Sequence, residues 1–141
     1  MRTIYLVSCV SKKRTEPAAA RDLYISNWFI KAKRYVEQFE QDWFILSALY
    51  GLIGSDEVIQ PYNKTLNNMP IADRRAWSEK VIRQVQEVSY EVDQIVILAG
   101  ERYREFIVEV LVDAGISVAI PMRGLRLGEQ MRWLDEHTPN H

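Results

Sequence analysis

Four short stretches of this sequence carry the residue types from which a binding or catalytic site is built. The first is Ser8-Cys9-Val10-Ser11-Lys12-Lys13-Arg14, which groups hydroxyls, a thiol and cations. Hydroxyl and backbone N–H donors beside fixed positive charge suit an anion such as phosphate. The glycine spacing of a Walker loop is absent, and a solvated basic loop has the same composition. Neighbouring cations raise the thiolate fraction of a cysteine, which makes Cys9, with Lys13, the candidate catalytic pair. Cysteine is more commonly a small packing residue that lines a pocket, and no obvious general base accompanies this one. His137 and His141 both lie in the tail, which argues against a Cys-His or Ser-His dyad.

The second stretch is Ser47-Ala48-Leu49-Tyr50-Gly51-Leu52, with Pro61-Tyr62 downstream. Tyr50 and Tyr62 are candidates to stack a planar ligand such as a nucleobase, or else rings that seal the edge of a core. Asp56 and Glu57 are acid–base candidates on a stretch that also reads as a charged loop tip. The third is Ala99-Gly100-Glu101-Arg102-Tyr103. The fourth is Arg123-Gly124-Leu125-Arg126-Leu127-Gly128-Glu129-Gln130. There Gly124 and Gly128 permit close backbone approach, and Gln130 has an amide able to read a base edge. Its glycine spacing fits the dinucleotide fingerprint poorly.

All four stretches follow predicted β-strands. Thr3–Ser8, Asp42–Ser47, Asp93–Leu98 and Ile116–Ile120 are short apolar runs without helical period, the pattern of strands buried on both faces. Between them the spacing predicts helices over about 18–39, 71–89 and 101–114, with a last helix over about 128–136. Gly115 is placed to end the third as a left-handed cap. Residues 50–70 read as irregular, punctuated by Gly51, Gly54, Pro61 and Pro70. Alternating strands and helices predict a single three-layer α/β domain, with a mostly parallel sheet of about four strands flanked by helices. Residues 136–141 read as a frayed tail. In such a sheet ligands bind outside the carboxyl ends of the strands, and all four stretches fall there. The expected pocket-lining residues are Ser8, Ser11, Lys12, Ser47, Tyr50, Gly51, Tyr62, Gly100, Arg123, Gly124, Gly128 and Gln130.

Three blocks taken together resemble an uncharacterised bacterial and phage domain family over nearly the whole chain. They are Ser8-Cys9-x-x-Lys12-Lys13, then Leu46-Ser47-Ala48-x-Tyr50-Gly51-Leu52 with Pro61-Tyr62, then Gly124-x-x-x-Gly128-Glu129-Gln130. That family is distantly similar to the YaaA peroxide-stress proteins. It is also distantly similar to the catalytic domain of archaeosine synthase, which modifies a 7-deazaguanine base in tRNA. The archaeosine motif has a cysteine followed four residues on by Lys-Pro-Tyr, and later by Ser and His. Cys9 and Lys13 match; Arg14 and Thr15 replace the Pro-Tyr, and no His follows in the loop, a departure that touches the lysine-transfer chemistry itself. The resemblance implies a nucleobase or nucleic-acid-linked role.

Composition narrows the field. The chain has 141 residues, a formal net charge of −1, 48% hydrophobic and 26% charged residues, as in an ordinary globular domain. The charge balance argues against a generic coat for duplex DNA. One cysteine excludes a disulfide framework and a Cys-rich zinc module, and no His-x-x-x-His or dense carboxylate cluster suggests a metal. No cofactor is indicated. No run approaches the roughly 20 apolar residues of a membrane span, and the first apolar run precedes its positive charge rather than following it, so a cytoplasmic protein without membrane contact is expected. The leading expectation is an enzyme acting on a nucleobase, nucleoside or modified nucleic acid. Tyr50 or Tyr62 would stack the base, while Lys12, Lys13 and Arg123 would hold phosphate. The alternatives are a non-catalytic nucleotide or nucleic-acid binder in a stress or phage context, and a protein–protein adaptor.

Overall fold

A computed structural model describes residues 2–8 and 13–139. The chain forms β1 (Thr3–Ser8), β2 (Ala18–Ala19), α1 (Ala20–Leu23), α2 (Asn27–Glu37), β3 (Trp43–Ser47), β4 (Gly51–Gly54) and β5 (Val58–Ile59). A 3-10 turn at Leu66–Asn68 precedes α3 (Ile71–Val88). Then come β6 (Gln94–Leu98), α4 (Glu101–Asp113), β7 (Ser117–Ala119) and α5 (Leu127–Glu136). The main sheet runs in the order β4-β3-β1-β6-β7. Every residue of β1 is buried, as expected for the central strand of a sheet covered on both faces.

The neighbours β3, β1, β6 and β7 pair in parallel, with Leu6 opposite both Phe44 and Ile97. Helix α2 packs against α5, and α3 against α4, giving the three-layer α/β arrangement. The connection from β1 moves toward β3, whereas the connection from β6 moves toward β7. The direction of travel therefore reverses between β1 and β6, and the crevice at their carboxyl ends is the switch point of the sheet.

Among the described residues the sheet has five strands where about four were expected, because the stretch read as irregular begins with a strand. Gly51 takes a left-handed backbone (φ 77°) that lets β4 fold back antiparallel on β3, with Ile53 opposite Ile45. The long helix expected over 18–39 is also broken. Ala18–Ala19 pairs with β5 instead, and the chain is extended at Tyr24 and Ser26 before α2. Ser26 restarts the helix by accepting a hydrogen bond from the Phe29 N–H at 3.3 Å. Gly115 adopts φ 84° after α4, and Ile116 N–H reaches back to the Leu111 carbonyl, which makes the expected cap a Schellman motif. Beyond α5, His137 stacks on Trp133 at 4.0 Å, and the buried Thr138 donates to the Leu134 carbonyl. No helix among the described residues is long and apolar enough to cross a membrane.

Candidate functional site

The carboxyl ends of β6 and β7 open into a cavity of about 260 Å³. Its floor is the end of β6 with Ala99 and Gly100, and Met122, Arg123, Gly124 and Leu125 form one wall. That wall is a tight turn closed by the Leu125 N–H on the Met122 carbonyl at 3.1 Å. Gly124 sits at its third position with φ 81°, a left-handed backbone that favours glycine. The first turn of α4 forms the other wall. Gly100 is its N-cap and supplies no side-chain cap, so the leading N–H groups of a 13-residue helix point at this edge.

Two guanidinium groups stand at the cavity. Arg104 is fixed by its Nε–H on the Ala99 carbonyl at 3.2 Å, and its remaining N–H groups have no protein partner among the described residues. Arg123 likewise has no side-chain partner among them. Glu101 contributes the carboxylate of the lining.

Opposite them is Trp28, in the first turn of α2, placed there by the Ser26 cap. Its indole is 7% exposed, and its Nε1–H donates to Gln130 Oε1 at 2.8 Å. Gln130 in turn donates from Nε2 to the Leu125 carbonyl at 2.8 Å. Both ends of that amide are therefore committed to the protein. Gln130 positions the indole and the turn.

A second cluster lies at the carboxyl end of β3. Buried Ser47 donates its hydroxyl to the Tyr62 hydroxyl at 2.7 Å and accepts from the N–H groups of Leu49 and Tyr50. The Tyr62 hydroxyl also meets that of buried Tyr24 at 2.7 Å. Lys13 Nζ stands 4.5 Å from the centre of the Tyr62 ring and 5.7 Å from that of Tyr24, and Tyr50 packs edge-on to Tyr62 at 5.6 Å. Tyr62 thus lies within an aromatic group with an ammonium over one face. It does not present a bare stacking platform.

The expected site residues divide accordingly. Gly100, Arg123, Gly124 and Gln130 meet at the β6–β7 cavity; Lys13, Ser47, Tyr50 and Tyr62 meet at the end of β3. Ser8 ends β1 between the two groups, opposite Leu46. Gly128 lines a separate open groove with Glu129, Arg132 and Trp133. Gly51 faces Gln84 beneath the β3–β4 turn. Cys9, Ser11 and Lys12 lie outside the described residues. Asp56 is exposed and paired with Arg21. Among the described residues no group of three or more His, Cys, Asp or Glu is placed to hold a metal ion.

Sequence reasoning missed Trp28, Arg104 and Tyr24. Trp28 sits on a periodic apolar stripe, and only the Ser26 cap two residues earlier marks it as the opening of a helix. Arg104 carried a usable signal, since it lies in the first turn after the Gly100 cap.

The family of unknown function (DUF6884) matches residues 4–136, and the chain belongs to that family. It is also similar to the "Uncharacterized protein YfjM" of Bacillus subtilis (strain 168). The two are 26% identical over 119 residues, which cover 79% of this chain and 78% of that protein. No solved structure matches.

Proposed function

We propose that this member of the DUF6884 family binds a nucleobase-bearing phosphate, free or within a nucleic acid, at the carboxyl edge of its sheet and acts on it as an enzyme. One observation carries the reading. Arg104, Arg123 and the uncapped start of α4 face the same 260 Å³ cavity that Trp28 walls on the apolar side. Guanidinium groups and helix N–H groups match phosphate oxygens, and an indole wall suits a base or sugar face. Glu101 is the carboxylate available to accept a ribose hydroxyl or take a proton. The likeness of Cys9 and Lys13 to the archaeosine synthase motif points to the same substrate class.

A non-catalytic binder is the second reading. It is favoured by the commitment of Ser47, Tyr62 and Gln130 to hydrogen bonds inside the protein.

Titration calorimetry against nucleobases, nucleosides, nucleoside monophosphates and inorganic phosphate tests the reading. Monophosphates should bind tightest. Arg123→Ala and Arg104→Ala should each weaken them roughly 10- to 100-fold, the worth of a charge-assisted hydrogen bond. Inorganic phosphate binding as tightly as any monophosphate removes the nucleobase from the proposal. Ligand recovered unchanged after prolonged incubation with protein and candidate co-substrates selects the binder.

A further inference from the structure

Charge is sorted along the strand axis, although the chain as a whole carries only −1. The described residues that lead into β1, β3 and β6 include Glu40, Asp42, Glu91 and Asp93, and among these leads the cation is Arg2. Arg2 is already engaged, with its guanidinium 3.2 Å from Asp42 and its backbone N–H on Asp93.

At the carboxyl edge the sign reverses. Lys13 and Arg14 follow β1, Arg102 and Arg104 open α4, and Arg123 and Arg126 follow β7. The carboxylates interspersed there are Glu16, Asp22, Glu101 and Glu129, and Asp22 is paired with Lys33 at 3.2 Å. The positive edge continues past β3. A second hollow of about 380 Å³ lies beside the β3–β4 turn, against Leu49, Met69 and Trp77. Lys64 and Lys80 rim it, with Asp73 as the carboxylate of its lining.

Resting on the reading above, we propose that the ligand is a single strand of nucleic acid laid along this edge. One unstacked nucleotide enters the Trp28 cavity, and neighbouring phosphates run past Lys13 to Lys64 and Lys80. A free nucleotide needs only one of the two hollows. A duplex keeps its bases stacked away from both. The row from β3 to β7 is about 15 Å wide at the usual strand spacing, and the Lys64–Lys80 hollow extends it past β3, which leaves room for the short end of single-strand site sizes, roughly four nucleotides. The acidic opposite edge repels a polyanion and so turns the basic edge toward it.

Fluorescence anisotropy with labelled ten-nucleotide single-stranded RNA and DNA tests this, alongside calorimetry with nucleoside monophosphates. The oligomers should bind at least tenfold more tightly than the monophosphates. Log affinity should fall with log salt at a slope near −3, for about four phosphates at roughly 0.7 each. Lys64→Glu, alone and with Lys80→Glu, should weaken the oligomers tenfold or more and leave monophosphates unchanged. Lys64 is exposed, so the single variant keeps the fold. Monophosphates binding as tightly as oligomers, or oligomers indifferent to Lys64→Glu, overturn the single-strand assignment and leave the nucleotide reading standing. Polyphosphate or duplex competing as well as the single strand also overturns it. Binding of neither oligomer nor monophosphate removes both.

Discussion

The indole Nε1–H of Trp28 donates to the side-chain oxygen of Gln130 at 2.8 Å, joining α2 to α5 across the mouth of the edge cavity. The two residues are 102 positions apart, and the bond satisfies the donor of a side chain only 7% exposed. Gln130→Ala leaves that donor unpaired, at a cost of about 1–3 kcal/mol. Urea unfolding reads it. A loss below about 0.5 kcal/mol would mean the indole has another partner and the amide does not hold the wall.

Two glycines should respond in opposite ways to alanine. At Gly51 a Cβ would stand 2.3 Å from Gln84 Oε1, and the backbone is left-handed. That same oxygen accepts the Leu52 N–H at 2.8 Å, so moving it breaks the bond that holds β4. Gly51→Ala should cost about 1–3 kcal/mol. Gly128 lies in the first turn of α5, where a Cβ would meet no atom of the described residues within 4 Å. Gly128→Ala should be neutral or stabilising by up to about 1 kcal/mol. Thermal melts of both variants decide it, and a destabilised Gly128→Ala contradicts the open space beside α5.

The Tyr62 hydroxyl bridges Tyr24 and Ser47 at 2.7 Å on each side. Tyr62→Phe should cost about 1–2 kcal/mol, because two buried hydroxyls lose a partner together. Tyr50→Phe, next to it in the cluster, removes a hydroxyl that makes no hydrogen bond among the described residues and should change stability by less than about 0.5 kcal/mol. Equal effects from the two variants would show that ring packing, not the hydroxyl chain, organises the end of β3.

Arg74 ties α3 to α4. It is 8% exposed, donates from Nε to Glu105 at 3.0 Å and reaches the Met69 carbonyl at 2.8 Å. Glu105 keeps a 27% exposed side chain, so solvent softens the loss of its partner. Arg74→Ala should therefore cost about 2 kcal/mol, below the 3–5 of a fully buried pair. Salt should diminish the difference only slightly. A difference erased by 1 M salt would place the pair effectively at the surface.

Alkaline stability should fall for a stated reason. Burial pushes the Tyr5 phenol above its ordinary value of 10.0. It also raises Tyr35, with repulsion from Tyr5 as the smaller cause. The folded protein therefore holds these protons more tightly than the unfolded chain does. Their contribution is complete below pH 10 and declines as pH climbs from there through the raised native values. The Tyr5→Phe/Tyr35→Phe double variant should lose less stability than the parent between pH 9 and pH 11. Parallel curves for the two proteins would rule out these phenols as the cause.

Much of the architecture is legible because its signals are local. Apolar runs at Thr3–Ser8, Trp43–Ser47 and Gln94–Leu98 announce central parallel strands, and the helical stripe of Trp77, Val81 and Val85 gives α3 nearly to the residue. Strand β4 escapes notice because Gly51 and Gly54 look like loop punctuation. What makes them strand ends is the pairing of β4 on β3, held at its start by Gln84, 32 residues from Leu52. The break at Tyr24–Ser26 hides inside a periodicity that two separate helices satisfy as well as one.

Residue type and order alone therefore place chemistry at strand ends, because a parallel sheet puts all its carboxyl ends on one edge whatever the strand order. Which groups on that edge converge is a different matter. Strand order sets β1 between the Tyr62 cluster and the Arg123 cavity, and packing of α2 on α5 brings in Trp28, which no motif contains. Hydrogen bonds across about 100 residues choose those neighbours, and separations of that length leave no local periodicity from which they can be read.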